Sequence, residues 1–195
     1  LQVALSKGAI RSVSVKVSGD VSEVKPITLA VLQGILKPIS GEKVNMMNAA
    51  LLAKQRQIKL EESYEYDDSG YTNRVEVIAE SDEGERRVAG SLFGKGYPRI
   101  IRIEEFHMDA RPVGPVLMIR NNDVPGVIGN VGSFLASRKI NIAEYRLGRQ
   151  DVGNTALAMV NLDEPINEED VAALEKEPNI LRVQQVNFPK EQSKS

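Results

Sequence analysis

The order of apolar periods between residues 113 and 188 constrains the fold of this chain more than any other feature. Val116 to Arg120 is a nearly continuous apolar stretch and reads as a strand, which Asp123-Val124-Pro125-Gly126 turns into a helix. Val127, Ile128, Val131, Phe134 and Leu135 fall on one face of that helix. Asn141 to Gly148 and Thr155 to Leu162 read as two further strands, separated by the hairpin loop Gln150-Asp151-Val152-Gly153-Asn154. Asn167, followed by Glu168, Glu169 and Asp170, is a good helix start, because acidic side chains favour the positive end of the helix dipole. Val171 and Leu174 point inward until Pro178-Asn179, and Leu181, Val183 and Val186 make a last strand. The resulting order, βαββαβ, is that of a ferredoxin-like sandwich.

The first half follows a different rhythm. Val13, Val15 and Val17 alternate with Ser12, Ser14 and Lys16, the period-two pattern of a half-buried strand. Ile27, Val31, Leu32 and Ile35 recur at helical spacing after Pro26, and Pro38 is expected to stop that helix. A second helix is expected from about Asn45 through Ala49 to Ala53, with Lys54 and Arg56 at its C-terminal end. Four strand-like stretches come next: Ile58 to Tyr66, Tyr71 to Glu80, Arg86 to Phe93 and Ile100 to Glu105. Turn residues such as Asp67-Asp68-Ser69-Gly70 and Gly94-Lys95-Gly96 separate them, and a short stretch then holds His107 and Asp109. The expectation is α+β: an antiparallel sheet domain with two helices (1–112), a ferredoxin-like βαββαβ domain (113–188) and a loose polar tail (189–195). The boundary is placed at Arg111-Pro112-Val113-Gly114-Pro115.

Composition narrows the chemistry. With 25 Lys+Arg against 27 Asp+Glu and no basic block, nucleic acid and anionic membrane are not expected partners, and no apolar run approaches the roughly 20 residues of a membrane span. The absence of cysteine removes disulfides, thiol nucleophiles and thiolate metal sites, and suits a reducing cytosol. A single histidine, His107, is thin material for a metal site or a catalytic triad. The chain opens Leu-Gln-Val-Ala-Leu, without an initiator Met or a signal-peptide pattern, and reads as a piece of something longer.

The adjacent carboxylates Glu61-Glu62, Asp67-Asp68 and Glu104-Glu105 make poor acid/base pairs, since neighbours in a strand point to opposite faces. Gly126-Val-Ile-Gly129-Asn-Val-Gly132 lacks the spacing and the Lys-Ser/Thr of a nucleotide loop. It is read instead as small residues that let a helix pack close to its sheet. The turn Asn121-Asn122-Asp123-Val124-Pro125-Gly126 is richer. Free amides at a helix start attract a carboxylate, Asp123 suits an ammonium group, and Asn121 and Asn122 suit a hydroxyl. Together they complement a small polar amino-acid zwitterion, with Asn141 expected near the same edge. A helix cap at Asp123 and a turn-satisfying Asn141 explain the same residues equally well.

The stretch Ile119-Arg-Asn-Asn-Asp-Val-Pro-Gly-Val-Ile-Gly-Asn-Val-Gly132, with Lys139-Ile-Asn-Ile-Ala143, resembles an ACT domain, the βαββαβ module that senses amino acids. Upstream, Val44-Asn-Met-Met-Asn-Ala-Ala-Leu-Leu-Ala-Lys-Gln-Arg56, Tyr71-Thr-Asn73, Val88-Ala-Gly-Ser-Leu-Phe-Gly94 and Pro98-Arg-Ile-Ile-Arg-Ile103 resemble the intervening domain of long-form D-3-phosphoglycerate dehydrogenases. Both halves in this order cover nearly the whole chain. The resemblance implies the C-terminal regulatory region of an NAD-dependent enzyme that opens serine biosynthesis, with the catalytic residues and the NAD upstream and no cofactor in this part. It implies ACT domains paired side by side, a tetrameric parent, and L-serine bound at the interface as feedback inhibitor. The effector positions it implies are Asn121, Asp123, Gly126, Val127 and Asn141; Asn121 stands where other members carry His or Tyr. In the first half it implies an anion or substrate effector site, for phosphate or a phosphorylated substrate, on Arg99, His107 and Arg111. Two other readings fit the same residues: an assembly module that senses nothing, and the regulatory region of an L-serine dehydratase.

Overall fold

In the computed structural model Val13, Val15 and Val17 are excluded from solvent while Ser12, Ser14 and Lys16 between them are half-buried, so the alternation is a strand with one covered face. Residues 1, 8–41, 43–66, 70–94, 96–150 and 154–190 are described. The expected turns at Asp67-Asp68-Ser69 and Lys95, the middle of the loop at Asp151-Val152-Gly153, the opening residues 2–5 and the tail from 191 lie outside them. The chain divides into two compact units, Leu1–Pro98 and Arg99–Ser195.

The first unit runs β1 (Ile10–Gly19), α1 (Val24–Ser40), α2 (Ala49–Gln55), β2 (Lys59–Tyr64), β3 (Asn73–Ser81) and β4 (Gly84–Phe93). Its strands lie in the order β2-β1-β3-β4. Leu32, Ile35 and Leu36 of α1 and Ala49 and Ala53 of α2 pack on Val13, Val15, Val17 and Ala79. β1 pairs antiparallel with β3 but parallel with β2, Val13 facing Leu60. The α+β class stands, and the sheet is mixed rather than antiparallel, because a crossover through two helices returns the chain in its original direction. Pro38 lies inside α1 rather than ending it: the missing N–H falls in the last turn, and the helix closes with the Gly41 N–H donating to the Lys37 carbonyl at 2.9 Å. α2 starts at Ala49 rather than Asn45, since the Asn45 and Asn48 side chains tie residues 45–48 into a turn of their own.

The second unit holds β5 (Tyr97–Ile103, from Arg99 on), β6 (Phe106–Ala110), β7 (Pro115–Asn122), α3 (Val127–Ser137), β8 (Ile142–Arg149), β9 (Thr155–Leu162), α4 (Glu168–Leu174) and β10 (Ile180–Asn187). The βαββαβ order is present, with strands in the order β10-β7-β9-β8, all antiparallel. Asn167 caps α4, its side-chain oxygen accepting the Asp170 N–H at 2.7 Å. On one face α3 and α4 cover Leu117, Ile119, Ala158 and Val160. On the other, Met118, Leu157 and Met159 are also buried, and β6 lies against β8 and β9 there. Gly148 marks the contact: a Cβ there would stand 2.8 Å from the His107 carbonyl oxygen and 3.1 Å from Phe106 Cβ. The Arg120 guanidinium lies 5.4 Å from the centre of the Phe106 ring. Asn161 donates to the Arg111 and Val113 carbonyls, so the Pro/Gly-rich punctuation is an internal seam of this unit, and the units divide one strand pair before it.

Gly129 and Gly132 do not serve close packing of α3, since a Cβ at either would meet nothing within 4 Å. The helix turns Val127, Val131 and Leu135 to the sheet instead and leaves Gly129 exposed.

Candidate functional site

β7 ends on Asn121 and Asn122, and a strand sends such neighbours to opposite faces. Asn121 follows Leu117 and Ile119 onto the face that α3 covers, where it is 3% exposed. Its amide nitrogen donates to the Asn122 carbonyl at 2.7 Å, and its oxygen is buried with no partner. A buried acceptor left in that state costs about 1–3 kcal/mol, so it is a place where a ligand donor is gained cheaply. Asn122 points elsewhere, donating to the Asn179 side chain at 3.2 Å.

Asn121 opens into a cavity of about 330 Å³ whose other walls are Asp123, Val124, Pro125, Gly126, Val127, Ile128, Leu147 and Arg149. Gly126, at φ 96°, is the N-cap of α3; its left-handed backbone brings the helix start to the cavity with no side chain in the way. The cap therefore belongs to Gly126, not to Asp123. The Asp123 carboxylate, only 9% exposed, accepts from Arg149 Nη2 at 3.1 Å. Arg149 and Leu147 come from β8, which the register places beside this end of the sheet: Arg149 faces Ala156 of β9, and Ala156 in turn faces Asn121. Motif reading missed both, since nothing local in the sequence joins position 149 to position 123.

Asn141 is not brought to this cavity. It precedes β8 at the opposite end from Arg149, where its side chain donates to Asp163 at 2.8 Å. Seven residue steps of strand separate the two ends of β8, on the order of 23 Å at the usual strand rise.

Arg99 and His107 lie on the β5–β6 pair, and Arg111 directly follows β6. Ile100 faces Ala110 and Arg102 faces His107, which sets Arg99 and Arg111 beside each other at one end. Arg99 makes an ion pair with Asp109 at 2.9 Å, and His107 is exposed. Three of the carboxylates set aside as acid/base pairs are engaged with cations: Glu61 with Lys59 at 2.6 Å, whose hydrogen bond holds its carboxyl below the usual range, Glu62 with Lys25 at 3.5 Å and Glu105 with Arg120 at 2.9 Å; Asp67 and Asp68 lie outside the described residues. Among the described residues no three His, Asp or Glu stand together as a metal site, and no helix is long and apolar enough to cross a membrane.

Comparison with known proteins gives the chain a family. The model of the D-3-phosphoglycerate dehydrogenase intervening domain matches residues 1–104. The chain is 32% identical over 185 residues to the D-3-phosphoglycerate dehydrogenase of Bacillus subtilis, covering 94% of this chain and 35% of that protein. It is 33% identical over 165 residues to that of Synechocystis, covering 83% and 30%, and 31% identical over 183 residues to that of Methanocaldococcus jannaschii, covering 93% and 34%. It thus spans about a third of the length of these relatives.

Proposed function

The chain belongs to the D-3-phosphoglycerate dehydrogenase family, and from that premise we propose that it forms the regulatory and assembly region of such an enzyme, taking up L-serine as feedback inhibitor between two copies of its second unit. The relatives' name favours this over a serine dehydratase region. The NAD-dependent oxidation of 3-phosphoglycerate in the cytosol falls, in this reading, to the part of the enzyme that these residues do not span.

The observation that carries the proposal is the unpartnered, buried oxygen of Asn121, a residue that lines a cavity also offering the Asp123 carboxylate and the start of α3. An amino acid with a hydroxyl supplies a donor to the first, an ammonium to the second and a carboxylate to the third. Asn141 enters from a second copy. β8 is an edge of its sheet, and an edge strand seeks a partner. If two β8 strands pair antiparallel about a two-fold axis, Asn141 of the partner subunit comes to the Arg149 end of the first. One protomer then supplies Asn121 and Asp123, and Asn141 of the partner subunit completes the site. Serine inhibits only as far as it binds two subunit arrangements differently.

Thermal unfolding in the presence of L-serine, D-serine, L-alanine and phosphate tests this. At 100 times the dissociation constant, binding stabilises the fold by about 2.7 kcal/mol. The expected result is a stereospecific shift with L-serine that Asn121→Leu and Asn141→Ala each abolish, although the two residues are remote in one chain. A shift with phosphate alone moves the effector to Arg99, His107 and Arg111, where Asp109 already offsets one charge. No shift with any of them makes the region an assembly module.

A further inference from the structure

We infer that Arg149 anchors the α-carboxylate of the amino acid in this cavity while Asp123 takes its ammonium group, so that this ion pair is what selects α-amino acids. The inference rests on the effector-site reading above and adds the selecting residue to it: Arg149 shares the carboxylate with the start of α3, both lying on the cavity wall. Arg149 and Asp123 reach the cavity from different elements, the end of β8 and the turn before α3, and meet at 3.1 Å on its wall. An α-amino acid carries the same two charges in the opposite order, one on each side of its Cα. When it inserts between them, one ion pair becomes two charge-assisted ones, and the guanidinium fork receives the planar carboxylate it matches.

The two partners are buried unequally, and this sets the direction of selectivity. The Asp123 side chain is 9% exposed and that of Arg149 is 52% exposed. A ligand with a carboxylate but no ammonium draws Arg149 away and leaves a buried Asp123 carboxylate with one cation fewer, which is costly. A ligand with an ammonium but no carboxylate leaves Arg149 facing water, which costs little. The remaining walls, Val124, Pro125, Val127, Ile128 and Leu147, carry no side-chain charge. The cavity should therefore rank L-serine above ethanolamine, and ethanolamine far above glycerate, although all three carry the hydroxyl.

Calorimetric titration of the 195-residue chain with these three compounds, repeated on Arg149→Gln and Arg149→Lys, tests the inference. Arg149→Gln should weaken L-serine about tenfold to a hundredfold, in keeping with a lost charge-assisted bond, and leave ethanolamine within about twofold. Arg149→Lys, which keeps the charge without the fork, should fall between wild type and Arg149→Gln. Circular dichroism and sedimentation of each variant establish that fold and assembly are intact. Equal weakening of both ligands, or unchanged serine binding in Arg149→Gln, overturns the anchor; tighter serine binding in that variant makes Arg149 a competitor for Asp123 and overturns it too. The wild-type serine titration tests the underlying reading separately: without binding there, reading and inference fall together, whereas binding that ignores Arg149 ends the inference alone.

Discussion

The two units solve the same packing problem differently. In the first, helices cover one face of the sheet, and the other carries Ser12, Ser14, Lys16, Arg74 and Glu76, with Arg74 and Glu76 paired at 3.1 Å. In the second, β7 and β9 are buried on both faces, with α3 and α4 on one side and β6 packed against β8 and β9 on the other. A one-sided sheet can still pair the charges on its open face: Glu76 is buried there, and Arg74 answers it. A two-sided sheet has no such outlet. A polar atom left unpaired inside it, such as the Asn121 oxygen, is conspicuous and more informative about function than any surface charge.

The comparison breaks most readily on core truncations. Leu135→Ala on the helix side of the second sheet and Met159→Ala on its other side should each cost about 2–5 kcal/mol, because both residues are fully buried. Ser14→Ala, on the polar side of the first sheet, should stay within about 0.5 kcal/mol. Chemical denaturation followed by hydrogen exchange in each unit measures all three. A cheap Met159→Ala would mean that the hairpin covers that face only loosely.

Gly148→Ala sharpens the same point. The added methyl has no room beneath His107 and Phe106, so a loss of about 1–3 kcal/mol is expected from overpacking. Gly129→Ala should act oppositely, raising stability by about 0.5–1 kcal/mol, since that position is helical and open. If both substitutions destabilise equally, Gly129 is covered in solution, and the oligomeric state should change with it. Asn167→Ala removes the α4 cap and should cost about 1 kcal/mol.

What was legible in the sequence follows the same division. Period-two alternation in β1 and the order of elements in the second unit were readable, because local hydrophobic periodicity records which face is covered. The turn before α3 was legible as chemistry, and Asn121 and Asp123 do line one cavity. Four things were not. The parallel β1–β2 pair depends on which edge the returning strand joins, a choice with no local signature. The Arg149–Asp123 contact depends on register across β8, β9 and β7. Asn141 was expected beside them because it begins the strand after α3, but antiparallel pairing places the beginning of β8 at the far end of the sheet. The glycines of α3 were read as packing residues because spacing alone does not tell a buried helix face from an open one.

The smallest effect concerns Tyr145, on β8. Its hydroxyl is buried without a partner, and burial pushes its phenol above the ordinary value of about 10. Near neutral pH the ring is uncharged whether folded or not, so its ionisation contributes nothing. Tyr145→Phe should then leave stability unchanged or slightly raised, because removing an unsatisfied hydroxyl relieves its desolvation cost. As pH rises through about 10, the unfolded chain gives up this proton first; the folded state binds more protons, and stability falls until the raised folded-state value is passed. The variant lacks that loss. Its stability relative to wild type should therefore grow as pH rises through about 10, where every other titrating group cancels in the difference. Parallel stability curves over that range would mean that the Tyr145 hydroxyl meets water or a partner in solution, and that the second sheet is less closed at its β8 edge than β7 and β9 are.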